Sequence, residues 1–230
     1  MSATIEPGVL TLGCSSLPAP PLFWTDPDGT RHGYEPGAAA AVAQAAGFEL
    51  RWVFRQWSAL RPAVEAGECD AIWCGSAITA ERRLIFDYSR PYAVFDESVL
   101  VRSDNRATGP GTLTGMRVGA IAGSTNMALA ETFPDVVTVG FDGATDDILG
   151  DMLNALRAGE VDAVVDDDVA FLGLDDPALR VAFTVPTRNA WGAACRKGNA
   201  ELVALLDAAI LGANLRSVWE RWLPGLAYPL

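Results

Sequence analysis

One seven-residue phrase occurs twice in this chain. Ala66-Gly67-Glu68-Cys69-Asp70-Ala71-Ile72 returns as Ala158-Gly159-Glu160-Val161-Asp162-Ala163-Val164. In each copy an amphipathic segment halts at a glycine suited to the left-handed helix cap, and an apolar strand starts after the aspartate. A helix-to-strand joint made twice predicts two similar α/β units, and 230 residues suffice for two lobes. The first copy runs on through Trp73-Cys74-Gly75-Ser76-Ala77 to a short charged helix carrying Arg82, as a strand feeding a ligand loop would. The second ends in Asp166-Asp167-Asp168. A cation on one unit and carboxylates on the other suit a small zwitterion.

The balance of 17 basic against 29 acidic residues, net charge -12, makes nucleic acid an unsuitable partner. Apolar runs fall short of the ~20 residues of a membrane span. Met1 to Gly8 lacks the basic segment and apolar core of a signal peptide, which leaves a cytosolic chain or one whose leader has been trimmed. Four cysteines, Cys14, Cys69, Cys74 and Cys195, fit neither a disulfide scaffold nor a zinc spacing. They read as core thiols, with a Cys14–Cys74 disulfide as the open alternative.

In chain order, Val9 to Cys14 is the first predicted strand. The proline-rich loop Ser15 to Pro21 at its C-terminal end is a candidate pocket wall, because ligands of open α/β sheets bind there. Leu22 to Thr25 and the Asp26-Pro27-Asp28-Gly29 turn predict a hairpin, with His32, the only histidine, read as solvated. Helices are expected over Gly37–Ala46 and Trp57–Ala66, with a strand over Glu49–Phe54 between them. A long strand from Ala93 to Val101 could carry the chain from one lobe to the other, and Ser103 to Gly111 reads as linker or loop. A strand Arg117–Ile121 turns through Ala122-Gly123-Ser124-Thr125 into a helix from Asn126, an arrangement that offers backbone donors to an anion. Val136–Phe141, the core stripe of Asp146–Ala158 and the strand Ala163–Val165 come next. Of the three aspartates after it, Asp168 reads as a helix cap. No spaced ligand set suggests a metal. Val181–Pro186 and Ala190–Arg196 are separate predicted strands, and Ala200–Leu211 and Leu215–Trp222 are closing helices.

Several of these stretches together carry a resemblance. They are Asp26-Pro27-Asp28-Gly29 with Gly33-Tyr34-Glu35, the two copies of the repeat, Ile78-Thr79-Ala80-Glu81-Arg82, Phe86 to Tyr92, and Lys197-Gly198-Asn199-Ala200-Glu201-Leu202. In them the chain, over about residues 8 to 223, resembles the amino-acid-binding type II periplasmic solute-binding proteins of ABC transporters (bacterial solute-binding protein family 3). The resemblance implies an α/β, two-lobed periplasmic-binding-protein-like fold, each lobe a central mixed sheet flanked by helices. It implies lobe 1 over residues 1–100 plus 188–230, lobe 2 over 101–187, and two hinge strands near 98–103 and 185–192. It further implies an extracytoplasmic or periplasmic monomer, without cofactor, that passes an amino-acid-like ligand to a membrane permease.

Position by position, the resemblance implies Arg82 as clamp for the ligand's α-carboxylate, helped by the backbone N–H of Thr125. Asp167 is then the partner of the α-ammonium, with the Gly75 carbonyl nearby, and Trp57 the aromatic against the ligand's side chain. Ser15 or Ser16 stands where the best-known members carry an aspartate, Leu17 and Pro18 where an aromatic is common, and Ala77 where a threonine hydroxyl is usual. A basic side chain would miss the absent acid, whereas a small, aromatic or methylated amino acid would be tolerated. The resemblance extends to cyclohexadienyl dehydratases, in which case Asp166 or Asp167 would be the candidate acid of an enzyme. A detached sensor domain is the third alternative.

Overall fold

The structure is a computed structural model that describes residues 3–230. The chain forms two compact units, one comprising residues up to Val94 together with Asn189–Leu230, the other Phe95–Arg188. In chain order the strands are β1 (Val9–Cys14), β2 (Trp24–Thr25), β3 (Arg31–His32), β4 (Glu49–Phe54), β5 (Ala71–Ile72), β6 (Phe86–Tyr88), β7 (Ala93–Arg102), β8 (Arg117–Ile121), β9 (Val137–Phe141), β10 (Ala163–Asp167), β11 (Leu179–Trp191) and β12 (Ala194–Arg196). The helices are α1 (Tyr34–Ala46), α2 (Leu60–Ala66), α3 (Thr125–Ala130), α4 (Ile148–Ala158), α5 (Ala200–Gly212) and α6 (Leu215–Trp222). No single helix among the described residues is long and apolar enough to cross a membrane.

The first unit holds a five-stranded sheet in the order β4-β1-β5-β12-β6, and the second a sheet in the order β11-β7-β10-β8-β9. Three neighbouring strands of each sheet pair in parallel, β4-β1-β5 and β10-β8-β9, while β12 runs antiparallel to both β5 and β6, and β7 antiparallel to β10. The parallel parts are built alike. In the first unit β1 leads through α1 to β4 on one side, and the chain crosses back through α2 to β5 on the other. In the second, β8 leads through α3 to β9 and back through α4 to β10. All six residues of β1 are buried, as a parallel strand covered on both faces requires. Leu10, Leu12, Val42, Leu60 and Val64 are core residues of the first unit. Val99, Val101, Leu113, Val118, Phe133 and Val165 form the core of the second.

The repeated phrase performs the same task twice. Gly67 and Gly159 end α2 and α4 in the left-handed region, at φ 75° and 74°. Asp70 N–H donates to the Thr11 carbonyl at 2.8 Å while its carboxylate accepts the Thr11 N–H at 2.7 Å. Asp162 repeats this brace on Arg117, at 2.8 Å and 2.9 Å. Each aspartate thereby ties the start of a new strand to its parallel neighbour.

Several expectations change. The run Asp70–Cys74 pairs as strand only over Ala71–Ile72, because the chain turns off to stack the Trp73 ring on Tyr92, centroids 3.9 Å apart. The expected helix at Trp57 begins as a 3-10 turn, Trp57–Ala59, before α2. Arg82 likewise starts a 3-10 turn, Arg82–Leu84, rather than an α-helix. Pro186 does not end its strand: β11 lies at a sheet edge, where a missing donor is tolerated, and runs on to Trp191 before β12 begins. Asp168 does not cap a helix. Asp167 holds that position before the 3-10 turn Asp168–Phe171, without a side-chain cap bond. The 103–111 segment is a loop inside the second unit, where the Arg180 guanidinium donates to the Asn105 and Ala107 carbonyls. His32 is half-buried, stacked on Trp24 and bonded to Asp26 at 2.8 Å. All four cysteines are free and buried, and Cys14 is not joined to Cys74.

Candidate functional site

In each unit the connections that leave two adjacent parallel strands run in opposite directions, the arrangement that in open α/β sheets places a ligand crevice at the C-terminal ends of those strands. In the first unit these are β1 and β5, and the segments leaving them contain Ser15, Gly75, Ala77 and Arg82. In the second they are β8 and β10: Thr125 lies on the segment leaving β8, and Asp167 is the last residue of β10.

The crevice of the first unit is tightly framed. Ser15 is buried, and its N–H donates to Cys74 Sγ at 3.3 Å, which locks the two segments together. Gly75 adopts the left-handed φ of 59°, and a Cβ placed there would come within 3.4 Å of the buried Trp191 ring. Its N–H donates to the carboxylate of Glu35, which also accepts from the Tyr92 hydroxyl at 2.8 Å. Burial pushes Glu35 up to about 7 against those two bonds. Trp73 Nε1–H donates to the Glu35 carbonyl at 3.2 Å, and the Tyr34 hydroxyl to the Tyr92 carbonyl. Ala77 pairs with Trp191 as an isolated bridge. The Gly75–Ala77 backbone is thus backed by Glu35, Trp73, Tyr92 and Trp191, with Tyr34 behind Tyr92, side chains whose role the sequence did not reveal. Glu35 and Tyr92 were signalled only as parts of the family marks Gly33-Tyr34-Glu35 and Phe86 to Tyr92.

Arg82 emerges at the rim of this frame. Its backbone N–H donates to Thr79 Oγ1 at 3.1 Å, and its Nη1 donates to the Ala77 carbonyl at 3.3 Å. The guanidinium also reaches the Tyr88 hydroxyl, which Ser76 holds at 3.0 Å. Of the other arginines of this unit, Arg51 pairs with Glu6, Arg55 with Glu68 and Arg61 with Glu65, whereas Arg31, Arg83, Arg90, Arg196 and Arg221 enter no ion pair among the described residues. No ion pair among the described residues uses Arg82. A half-buried planar cation held by a carbonyl and a phenol retains donors for a carboxylate. Trp57 is half-buried at the start of its 3-10 turn, on the segment between β4 and α2.

The second unit carries carboxylates at the end of its own sheet. Thr125 opens α3, whose N-cap Ser124 accepts the Met127 N–H at 3.0 Å. First-turn N–H groups have no intrahelical acceptor, so the Thr125 N–H faces outward along the helix axis. Asp167 ends β10, and its N–H donates to Asp166 Oδ1 at 2.7 Å. Desolvation, helped by nearby Glu97, pushes Asp166 up to about 7 despite that bond. Asp168 is raised as well, chiefly by burial and further by Asp96. No group of His, Cys, Asp and Glu among the described residues is arranged to hold a metal ion.

Known proteins share this architecture. An ancestral arginine-binding protein bound to glutamine superposes with a TM-score of 0.84 at 25% identity, over 95% of this chain and 99% of that one. The L-cystine-binding protein TcyJ of Escherichia coli strain K12 is 28% identical over 226 residues, 94% of this chain and 83% of that protein. A probable histidine-binding protein of Neisseria gonorrhoeae is 27% identical over 214 residues, 89% of this chain and 78% of that protein. The profile of the bacterial extracellular solute-binding proteins, family 3, matches residues 12–221. With its parallel strand triplets, its twice-used aspartate brace and a match over that span, the chain belongs to this family of solute-binding proteins.

Proposed function

We propose that the protein captures a free amino acid, or a close derivative, for uptake by an ABC transporter, and that it acts outside the cytoplasmic membrane beside a membrane permease. The observation that carries this reading is Arg82, a half-buried guanidinium at the C-terminal edge of a parallel sheet with no carboxylate of its own. It forks onto the ligand's α-carboxylate, assisted by the Thr125 N–H. Asp167 takes the α-ammonium, with the Gly75 carbonyl beside it, and Trp57 packs on the ligand's side chain. Ser15 and Ala77 contribute backbone and a small wall. The named relatives, a probable histidine-binding protein, an L-cystine-binding protein and an ancestral arginine-binding protein bound to glutamine, support the ligand class.

Thermal melting against a panel of amino acids tests this. Ligand at 100 times its Kd stabilises by about 2.7 kcal/mol, a readily measured shift. Charge-assisted bonds of ~1.5–3 kcal/mol each imply that Arg82→Ala and Asp167→Ala weaken binding about 10-fold to 100-fold or more. A hit indifferent to both substitutions overturns the assignment of these residues.

One observation favours a second reading, in which the fold serves a cyclohexadienyl dehydratase-like elimination. A carboxyl that titrates near 7, as Asp166 does, is suited to proton transfer. Turnover of prephenate or arogenate that disappears in Asp166→Asn would establish the enzyme. Binding without turnover excludes it.

A further inference from the structure

The hairpin of β2 and β3 delivers a second arginine to the Ser15 segment. The Arg31 guanidinium lies over the rings of Phe23, Trp52 and Phe54, 5.3, 5.2 and 5.0 Å from their centroids. Its Nη1 donates to the Ser15 carbonyl at 3.3 Å and to Thr25 Oγ1 at 3.1 Å. Its Nε is buried without a hydrogen-bond partner among the described residues. None of the ion pairs there uses Arg31 either. The carboxylate that feels it, Glu35, accepts from Tyr92 and Gly75 but has Oε2 buried without a hydrogen-bond partner among the described residues, and the other ionisable neighbours are the buried Cys14 and Cys74 thiols.

A guanidinium stacked on three rings has little freedom, so its charge is fixed in place. The loop it touches, Ser15-Ser16-Leu17-Pro18-Ala19-Pro20-Pro21, contains no acid to offset it, and the nearby Asp26 is engaged by His32. A buried N–H left without an acceptor is costly, and a ligand acceptor would relieve that cost. We propose that Arg31 sets the ligand class: the protein selects amino acids whose side chain carries a carboxylate or similar anion, and it rejects those with an ammonium or guanidinium. This rests on the amino-acid-binding reading above and narrows it. A packing role alone would explain the rings and the Ser15 bond, but not the unpaired donor.

The test is calorimetric titration of the full chain with L-glutamate, L-aspartate, L-glutamine, L-phenylalanine, L-lysine and L-arginine, on the wild type, Arg31→Met and Arg31→Lys. Glutamate or aspartate is expected to bind the wild type at least tenfold more tightly than lysine or arginine. Arg31→Met is expected to reduce the preference for glutamate over glutamine at least tenfold while glutamine affinity stays within about threefold. Arg31→Lys is expected to keep part of the preference. A neutral or basic amino acid that binds the wild type more tightly than both acidic ones overturns the inference, as does an unchanged glutamate-to-glutamine ratio in Arg31→Met. Should Arg31→Met fail to fold, the wild-type ranking and the Arg31→Lys ratio decide alone. Binding of no amino acid by the wild type is a different result, which sinks the amino-acid reading itself.

Discussion

The two units begin a strand in the same way and diverge before it ends. Both brace a parallel strand with the aspartate of the repeated phrase, yet the residues beyond are Trp73-Cys74-Gly75 in the first and Val165-Asp166-Asp167 in the second. The scaffold half of each unit is copied, and the half that meets the crevice is not. Even the copied aspartates differ in charge environment. Asp70 is buried against backbone donors, and desolvation raises it. Asp162 takes the Arg117 guanidinium at 2.9 Å and Arg102 at 3.4 Å, and Arg117 holds it down at about 2. The brace needs only two backbone bonds, so the surrounding cations are free to differ.

The largest expected effect separates the two strands beyond the brace. Trp73 is buried and stacked on Tyr92, so Trp73→Ala should cost ~3–5 kcal/mol, against roughly 1–3 kcal/mol for Val165→Ala. Urea unfolding of the two variants measures this, and equal losses would remove the distinction.

A smaller effect lies in the acid limb. Asp162 has a folded value below its unfolded one, so its contribution is present above the unfolded pKa near 4 and is lost as pH falls through about 2. That loss is about 2 kcal/mol and should vanish in Asp162→Asn. Glu35 and Asp166 have the reverse sign: raised to about 7, each contributes stability that is present at low pH and declines as pH rises from about 4 to 7. Stability should therefore peak at roughly pH 4 to 5. Asp70, raised rather than lowered, adds nothing to the acid limb, so Asp70→Asn should leave the loss between about pH 4 and 2 intact. Unfolding midpoints at about pH 2.5, 4 and 7 provide the check.

The smallest effect tests sameness. Gly67→Ala and Gly159→Ala each force a Cβ into the left-handed region and should each cost ~1 kcal/mol. Each Cβ would meet only the tip of an arginine at 4.0 Å, so the two losses should agree by differential scanning fluorimetry. Unequal values would mean that the copies are not equivalent joints.

Much of this fold was legible in the linear chain, because it rests on local chemistry. The strand β1, the glycine stops of α1, α2 and α4, and the helix α6 come from hydrophobic period and from the one residue that enters the left-handed region without strain. Repetition revealed two units since a copied phrase copies its joint. Arg82 and Asp167 are proposed as ligand contacts on their places after the two copies. What only the tertiary structure decided is how distant residues meet. The length of β11 through Pro186 depends on its being an edge strand, which no local pattern states. The frame of Glu35, Trp73, Tyr92 and Trp191 behind Gly75 joins four separated segments. Arg31 reads in sequence as a charge after a turn. Only folding brings it onto Phe23, Trp52 and Phe54 and against Ser15, because stacking and desolvation are set by neighbours in space.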